Sequence, residues 1–148
     1  MVVLILGSKK DSEVGKEVAR QLKKLSVSCQ THIASAHKTP LALLGILEKY
    51  GKEKNIVFIC IAGRSNALGG FVDANCPFPV INCPPYSEKF AGLDILSSLR
   101  MPSYVAPLTV LEPNQAALAA AKILALNDNK LKQRIEKLQF EVKKELTQ

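Results

Sequence analysis

The chain alternates between two hydrophobic patterns. Val2–Leu6 is an unbroken apolar run ending at Gly7, as expected of a strand buried on both faces of a parallel sheet. Residues 12–25 place Val14, Val18, Leu22 and Leu25 on one helical face, with Lys16, Glu17, Arg20, Lys23 and Lys24 on the other. Residues 27–34 alternate, which predicts a strand near a sheet edge. Thr39-Pro40 reads as a helix start, Thr as N-cap and Pro in the first turn, and Gly51 as its stop after Tyr50. Residues 55–62 form the most apolar run, a third strand. The glycine-rich stretch 63–70 is a loop entering a short helix. Residues 78–83 read as a fourth strand, broken by Pro84-Pro85. A short helix is expected over 93–100 and a fifth strand over 105–110. An alanine-rich helix follows over 113–126. Asp128 is placed to cap a last helix over 129–146, with Leu131, Ile135, Leu138, Val142 and Leu146 on one stripe.

Strands and helices in alternation, with short connections, predict an α/β fold: a parallel sheet of about five strands between two helical layers. No linker or repeat divides the chain, so residues 1–148 read as a single domain with its α/β core over about 1–126. The helix over 128–146 lies outside the repeat. Its stripe, and the alanine face before it, predict a subunit interface and hence a homo-oligomer.

Composition narrows the class. An apolar fraction of 47% with 22% charge excludes wholesale disorder. No apolar run approaches the roughly 20 residues that span a bilayer. The apolar start lacks the basic leader and cleavage site of a signal peptide. Twenty basic against thirteen acidic residues give a net charge of +7, compatible with nucleic acid, an acidic membrane surface or a phosphorylated small molecule. With five Phe, three Tyr and no Trp, the chain has few stacking platforms for single-stranded nucleic acid. The four cysteines form no C-x-x-C pair, and Cys60 sits inside an apolar run. They read as reduced core residues, which suggests a cytoplasmic protein and no structural zinc. The two histidines and scattered acids suggest no other metal site.

In open parallel sheets, ligands bind beyond the carboxyl ends of the strands. Three loops there carry chemistry. Gly7-Ser8-Lys9-Lys10-Asp11 combines a tight turn, a hydroxyl and backbone N–H groups at a helix start, all suited to an anion. It matches neither a P-loop nor a dinucleotide fingerprint. Ser35-Ala36-His37-Lys38-Thr39-Pro40 puts a histidine, able to move a proton near neutral pH, beside a cation. His32 sits inside the preceding strand, where packing or a surface role accounts for it equally well. Ala62-Gly63-Arg64-Ser65-Asn66-Ala67-Leu68-Gly69-Gly70 offers a guanidinium fork, a hydroxyl and an amide to an oxygen-rich ligand.

At these loops the sequence resembles the phosphoribosylaminoimidazole carboxylase family of purine biosynthesis. The family's G-S-x-S-D appears as Gly7-Ser8-Lys9-Lys10-Asp11, and its S-A-H-[RK]-x-P as Ser35-Ala36-His37-Lys38-Thr39-Pro40. Its CO₂-using division carries A-G-R-S-N-x-L, matched by Ala62-Gly63-Arg64-Ser65-Asn66-Ala67-Leu68. The mutase division carries A-G-G-A-A-H-L-P-G, and its second histidine would fall at Ala67. Further matches run through Cys83-Pro84-Pro85, Ser97-Ser98-Leu99-Arg100-Met101-Pro102-Ser103 and Leu111-Glu112-Pro113, so the resemblance covers about residues 2–126. Two departures stand out: Lys10 for the second serine of the first motif, and Tyr104 where glycine is usual.

The resemblance implies a flavodoxin-like fold and ATP-independent carboxylation of 5-aminoimidazole ribonucleotide with CO₂, giving the carbon-4 carboxylate. It implies no cofactor and no metal, small-molecule substrates, a homo-oligomer that is a tetramer or octamer, and neither a nucleic-acid nor a membrane partner. His37 would be the acid–base group and Lys38 its catalytic neighbour. Ser8, Asp11 and Ser35 would hold the ribose phosphate. Lys38, Ser65 and Asn66 would hold the developing carboxylate, Gly63 would let the ligand approach the backbone, and Arg64 would either contact the carboxylate or order its loop. The rival readings are the N5-carboxyaminoimidazole ribonucleotide mutase and a non-catalytic flavodoxin-like module binding a nucleotide or flavin.

Overall fold

Five parallel strands form one sheet: β1 (Val2–Leu6), β2 (Cys29–Ile33), β3 (Val57–Ile61), β4 (Val80–Asn82) and β5 (Leu108–Thr109), in the order β2-β1-β3-β4-β5. The computed structural model describes residues 1–146, the side chain of Phe90 excepted. β1 is flanked on both sides, Val2 opposite Cys29 on one neighbour and Val57 on the other. Each residue of β1 and β3 is buried, which explains their unbroken apolar runs. The alternating β2 is an edge strand, as its pattern predicts.

Side chains alternate across the sheet and divide the core in two. Val2, Leu4 and Leu6 join Val57, Ile59 and Ile61 on one face, with Val18 and Leu22 of α1 (Ser12–Lys24). The same cluster takes in α5 (Pro113–Leu124) and the first half of α6 (Asn129–Leu146). On the other face Val3, Ile5, Phe58 and Cys60 pack on Leu43, Leu47 and Tyr50 of α2 (Pro40–Tyr50) and Leu68 and Val72 of α3 (Ala67–Ala74). Each fully buried aliphatic side chain contributes about 1.5–3 kcal/mol of transfer free energy. The result is the expected three-layer α/β/α sandwich, with the flavodoxin-like strand order.

The later elements are shorter than their patterns predict. β4 begins at Val80 because Pro79 has no N–H for the ladder, and β5 shrinks to Leu108–Thr109 after Pro107. Between β4 and β5 the chain forms a 3₁₀ segment, Lys89–Ile95, and the short helix α4 (Leu96–Leu99). Tyr104 then takes a left-handed φ of 64° with its ring fully exposed. That geometry favours glycine, the residue the resemblance expects there.

One packing expectation is corrected. The alanine face of α5 does not await another subunit: Ala116, Ala117, Ala120 and Ala121 are fully buried against α1 and the sheet of the same chain. Small side chains let α5 and α1 approach closely. The stripe of α6 is split. Leu131 and Ile135 are buried and Leu138 is half-buried, whereas Val142 and Leu146 face solvent. Asp128 caps the helix as predicted, its carboxylate accepting the Leu131 N–H at 3.0 Å.

Candidate active site

The strand order reverses direction between β1 and β3, and the loops leaving their carboxyl ends part there. Such a switch point opens a crevice. In this molecule it is a cleft of about 660 Å³, walled by the loops after β1, β2, β3 and β4. Three loops far apart in sequence converge on it.

The first loop starts at Gly7, whose N–H still bonds Ile61 O at 2.9 Å. A Cβ at Gly7 would press to 3.1 Å on Ala62 Cβ, so glycine lets the two loops meet. Ser8 caps a 3₁₀ turn, Lys9–Asp11: its Oγ accepts the Lys10 N–H at 3.2 Å and donates to the Asp11 carboxylate at 2.9 Å. Ser8 and Asp11 therefore form one tied unit. Lys9 and Lys10 extend beside it, exposed and on the cleft wall.

The second loop is a compact turn built on Ser35 and Thr39. The Ser35 N–H donates to Thr39 Oγ1 at 2.9 Å, and the Thr39 N–H returns to Ser35 O at 2.9 Å. Lys38 N–H donates to Ser35 Oγ at 3.3 Å. Pro40 occupies the first helical turn as predicted, but the Thr39 hydroxyl does not cap α2. It turns back to fix the loop that presents His37 and Lys38 to the cleft. His32, the other histidine, is built into the wall of the fold. Its Nε2 lies 2.8 Å from the Tyr50 hydroxyl, and the rings meet edge to face. Burial, then the nearby Lys49 charge, lowers its pKa from the ordinary 6.5.

The third loop passes through a strained residue. Arg64 has a left-handed φ of 61°, a conformation that costs a non-glycine residue on the order of 1 kcal/mol. Its N–H donates to Asp94 Oδ2 at 3.0 Å, and its carbonyl accepts from Ser97 Oγ at 2.9 Å. Arg64 and Ser65 are exposed on the cleft; Gly63 lines it. Asn66 does not line it. It is 2% exposed, its Nδ2 donates to Ser98 Oγ at 2.9 Å, and its N–H donates to Ser97 Oγ at 2.9 Å. Asn66 instead borders a smaller hollow of about 320 Å³ between α3 and residues 97–105.

The cleft is electropositive. Lys9, Lys10, Lys38 and Arg64 line it against a single carboxylate, Asp11. Among the described residues none of these four cations has an ion-pair partner. Low-dielectric walls around such a set concentrate the field on an anionic ligand. The described residues include no group of three or more His, Cys, Asp or Glu able to hold a metal, and no helix long and apolar enough to cross a membrane. All four cysteines are free thiols; burial raises the pKa of Cys60 and pushes Cys83 up to about 12.

Eight of the nine site residues named from sequence thus meet on one cleft: Ser8, Asp11, Ser35, His37, Lys38, Gly63, Arg64 and Ser65. Pro85, Tyr86 and Ser87, just past the proline break that ends the fourth strand, add a fourth wall. Asp94 and Ser97, which hold Arg64, were not singled out for that role. They act across 30 and 33 residues, and nothing local signals such a bond.

Fold and cleft together define an α/β protein of the open parallel-sheet class, with an electropositive cleft and a histidine at the switch point. The family model described as AIR carboxylase matches residues 1–145. The chain is 51% identical over 144 residues to the phosphoribosylaminoimidazole carboxylase of Archaeoglobus fulgidus, covering 97% of this chain and 79% of that one. It is 44% identical over 132 residues to that of Treponema denticola, covering 88% and 83%. The crystal structure of Treponema denticola PurE superposes with a TM-score of 0.96 at 39% identity, over 99% of this chain and 93% of that one. The protein belongs to the AIR carboxylase family.

Proposed function

We propose that the protein carboxylates 5-aminoimidazole ribonucleotide with free CO₂, without ATP, in the cleft at the switch point. The observation that carries this reading is the convergence of His37, Lys38, Arg64 and Ser65 with the Ser8–Asp11 unit on one electropositive cleft. The aminoimidazole ring is an enamine, nucleophilic at carbon 4, and CO₂ is already an electrophile. The protein's task is to place them together and exclude water. Carbon 4 attacks the CO₂ carbon and forms the new C–C bond. The tetrahedral carbon then holds both a hydrogen and a carboxylate. His37 removes that proton, the C–H electron pair restores the aromatic ring, and the proton passes to solvent.

CO₂ offers few contacts, but the developing carboxylate offers many. Lys38, Arg64 and Ser65 stabilise it as charge appears, which lowers the barrier rather than only tightening substrate binding. The first loop and Ser35 hold the ribose phosphate. Lys9 and Lys10 suit the dianion as point charges, so Lys10 supplies charge where the family uses a serine hydroxyl. The protein works as a homo-oligomer, with the outer half of α6 against a second copy.

The test is ultraviolet detection of the carboxylated nucleotide with bicarbonate present and ATP absent. The wild type should form product at a rate rising with dissolved CO₂. His37→Asn should lose at least about a hundred-fold in kcat while binding the nucleotide nearly as before. Near-normal turnover by His37→Asn would remove the histidine from the mechanism. Preferential use of the N5-carboxylated nucleotide would favour the mutase instead.

A further inference from the structure

We infer that Asp94 and Ser97 are positioning residues for the reaction, holding Arg64 in its left-handed conformation and so aiming the Arg64–Ser65 segment at the cleft. The inference rests on the reading of this cleft as the carboxylation site. Two independent grips seize the same residue from opposite ends of its peptide units. Asp94 Oδ2 accepts the Arg64 N–H at 3.0 Å. Ser97 Oγ lies 2.9 Å from Arg64 O and 2.8 Å from Asp94 O, sharing its proton between the two carbonyls, and accepts the Asn66 N–H at 2.9 Å. Ser98 adds a third hold, accepting from the Asn66 amide at 2.9 Å.

Backbone strain persists only where surrounding contacts over-determine it. Arg64 carries that strain at φ 61°, and no glycine relieves it. Released, the residue would relax toward negative φ, rotating the peptide planes on either side. The Arg64 and Ser65 side chains would then leave the positions from which they meet a carboxylate. Asp94 and Ser97 do not line the cleft, so they act through the loop and not on the ligand.

This placement predicts an uneven loss. The carboxylate half of the site depends on the grip, whereas the phosphate half rests on the first two loops. Asp94→Ala should lower kcat for carboxylation about ten-fold and weaken binding of the carboxylated nucleotide by a similar factor. Affinity for the uncarboxylated nucleotide should stay within about two-fold. Asp94→Asn keeps an oxygen able to accept the Arg64 N–H and should recover most of both losses. Thermal melting of each variant, followed alongside, should shift by only a few degrees. Wild-type kcat and product affinity in Asp94→Ala would overturn the inference alone. So would equal losses of both nucleotide affinities together with a collapse in Tm, the signature of a merely structural residue. An inactive wild type would instead overturn the carboxylase reading, and this inference with it.

Discussion

At the scale of single residues, the two histidines show how position decides chemistry. His37 is exposed on a loop tied by Ser35 and Thr39, free to meet a ligand. His32 lies on β2, just before its last residue Ile33, and is committed to the Tyr50 hydroxyl at 2.8 Å. Its depressed pKa means that the unfolded chain binds the proton more readily than the folded one. The associated stability is therefore fully present above the ordinary value of 6.5 and is lost as pH falls below it, through the folded-state value. Thermal melts from pH 7.5 down to 5 should show Tm falling across this window, and His32→Gln should flatten that slope. An unchanged slope in the variant would mean that other groups set the acid sensitivity. The loops that line the cleft were legible in sequence because glycine, charge and hydroxyl cluster locally there. The placement of Asn66 was not, because its burial depends on α4 arriving from 32 residues away.

At the scale of elements, hydrophobic period found the central strands and α1, start and stop residues or composition found α2, α3 and α5, and proline trimmed the strands whose period suggested more. What the period did not report was the fit between α3 and β4. Gly69 on α3 packs directly on Asn82 of β4: a Cβ at Gly69 would overlap the Asn82 amide, itself fully buried. Both polar atoms of that amide lack a hydrogen-bond partner among the described residues. Gly69→Ala gains helix propensity of about 1 kcal/mol but forces a buried side chain aside, and overpacking of this kind costs about 1–3 kcal/mol. The steric term wins because β4 is pinned between β3 and β5 and cannot retreat. Gly69→Ala should therefore lower the urea midpoint, and adding Asn82→Ala should restore most of the loss by vacating the space. A Gly69→Ala variant as stable as wild type, or a double variant no better than the single one, would contradict this account of the packing.

At the scale of the whole molecule, the net charge of +7 resolves into parts with different meanings. Lys9, Lys10, Lys38 and Arg64 come together only because the strand order places the loops after β1, β2 and β3 on one cleft. The order of strands was not written in any local pattern, so the sequence disclosed the loops while the topology disclosed the site. The C-terminal helix poses the remaining question. Its first half is committed to this chain through Leu131, Ile135 and the Arg134 bond to Leu25 O at 2.9 Å. Its second half continues the stripe with Val142 and Leu146 at 48% and 82% exposure, and carries Phe140 at 68% on the opposite side of the helix. A helix end of that length gains little from its own hydrogen bonds in water, and in the proposed homo-oligomer Val142 and Leu146 would be buried against a second copy. Light scattering on the wild-type protein should report the mass of several chains. Replacing Val142 and Leu146 together by glutamate should lower that mass while leaving the far-ultraviolet helical signal nearly intact. A monomeric wild type would end the oligomer proposal, and an unchanged mass in the double variant would move the interface away from this helix.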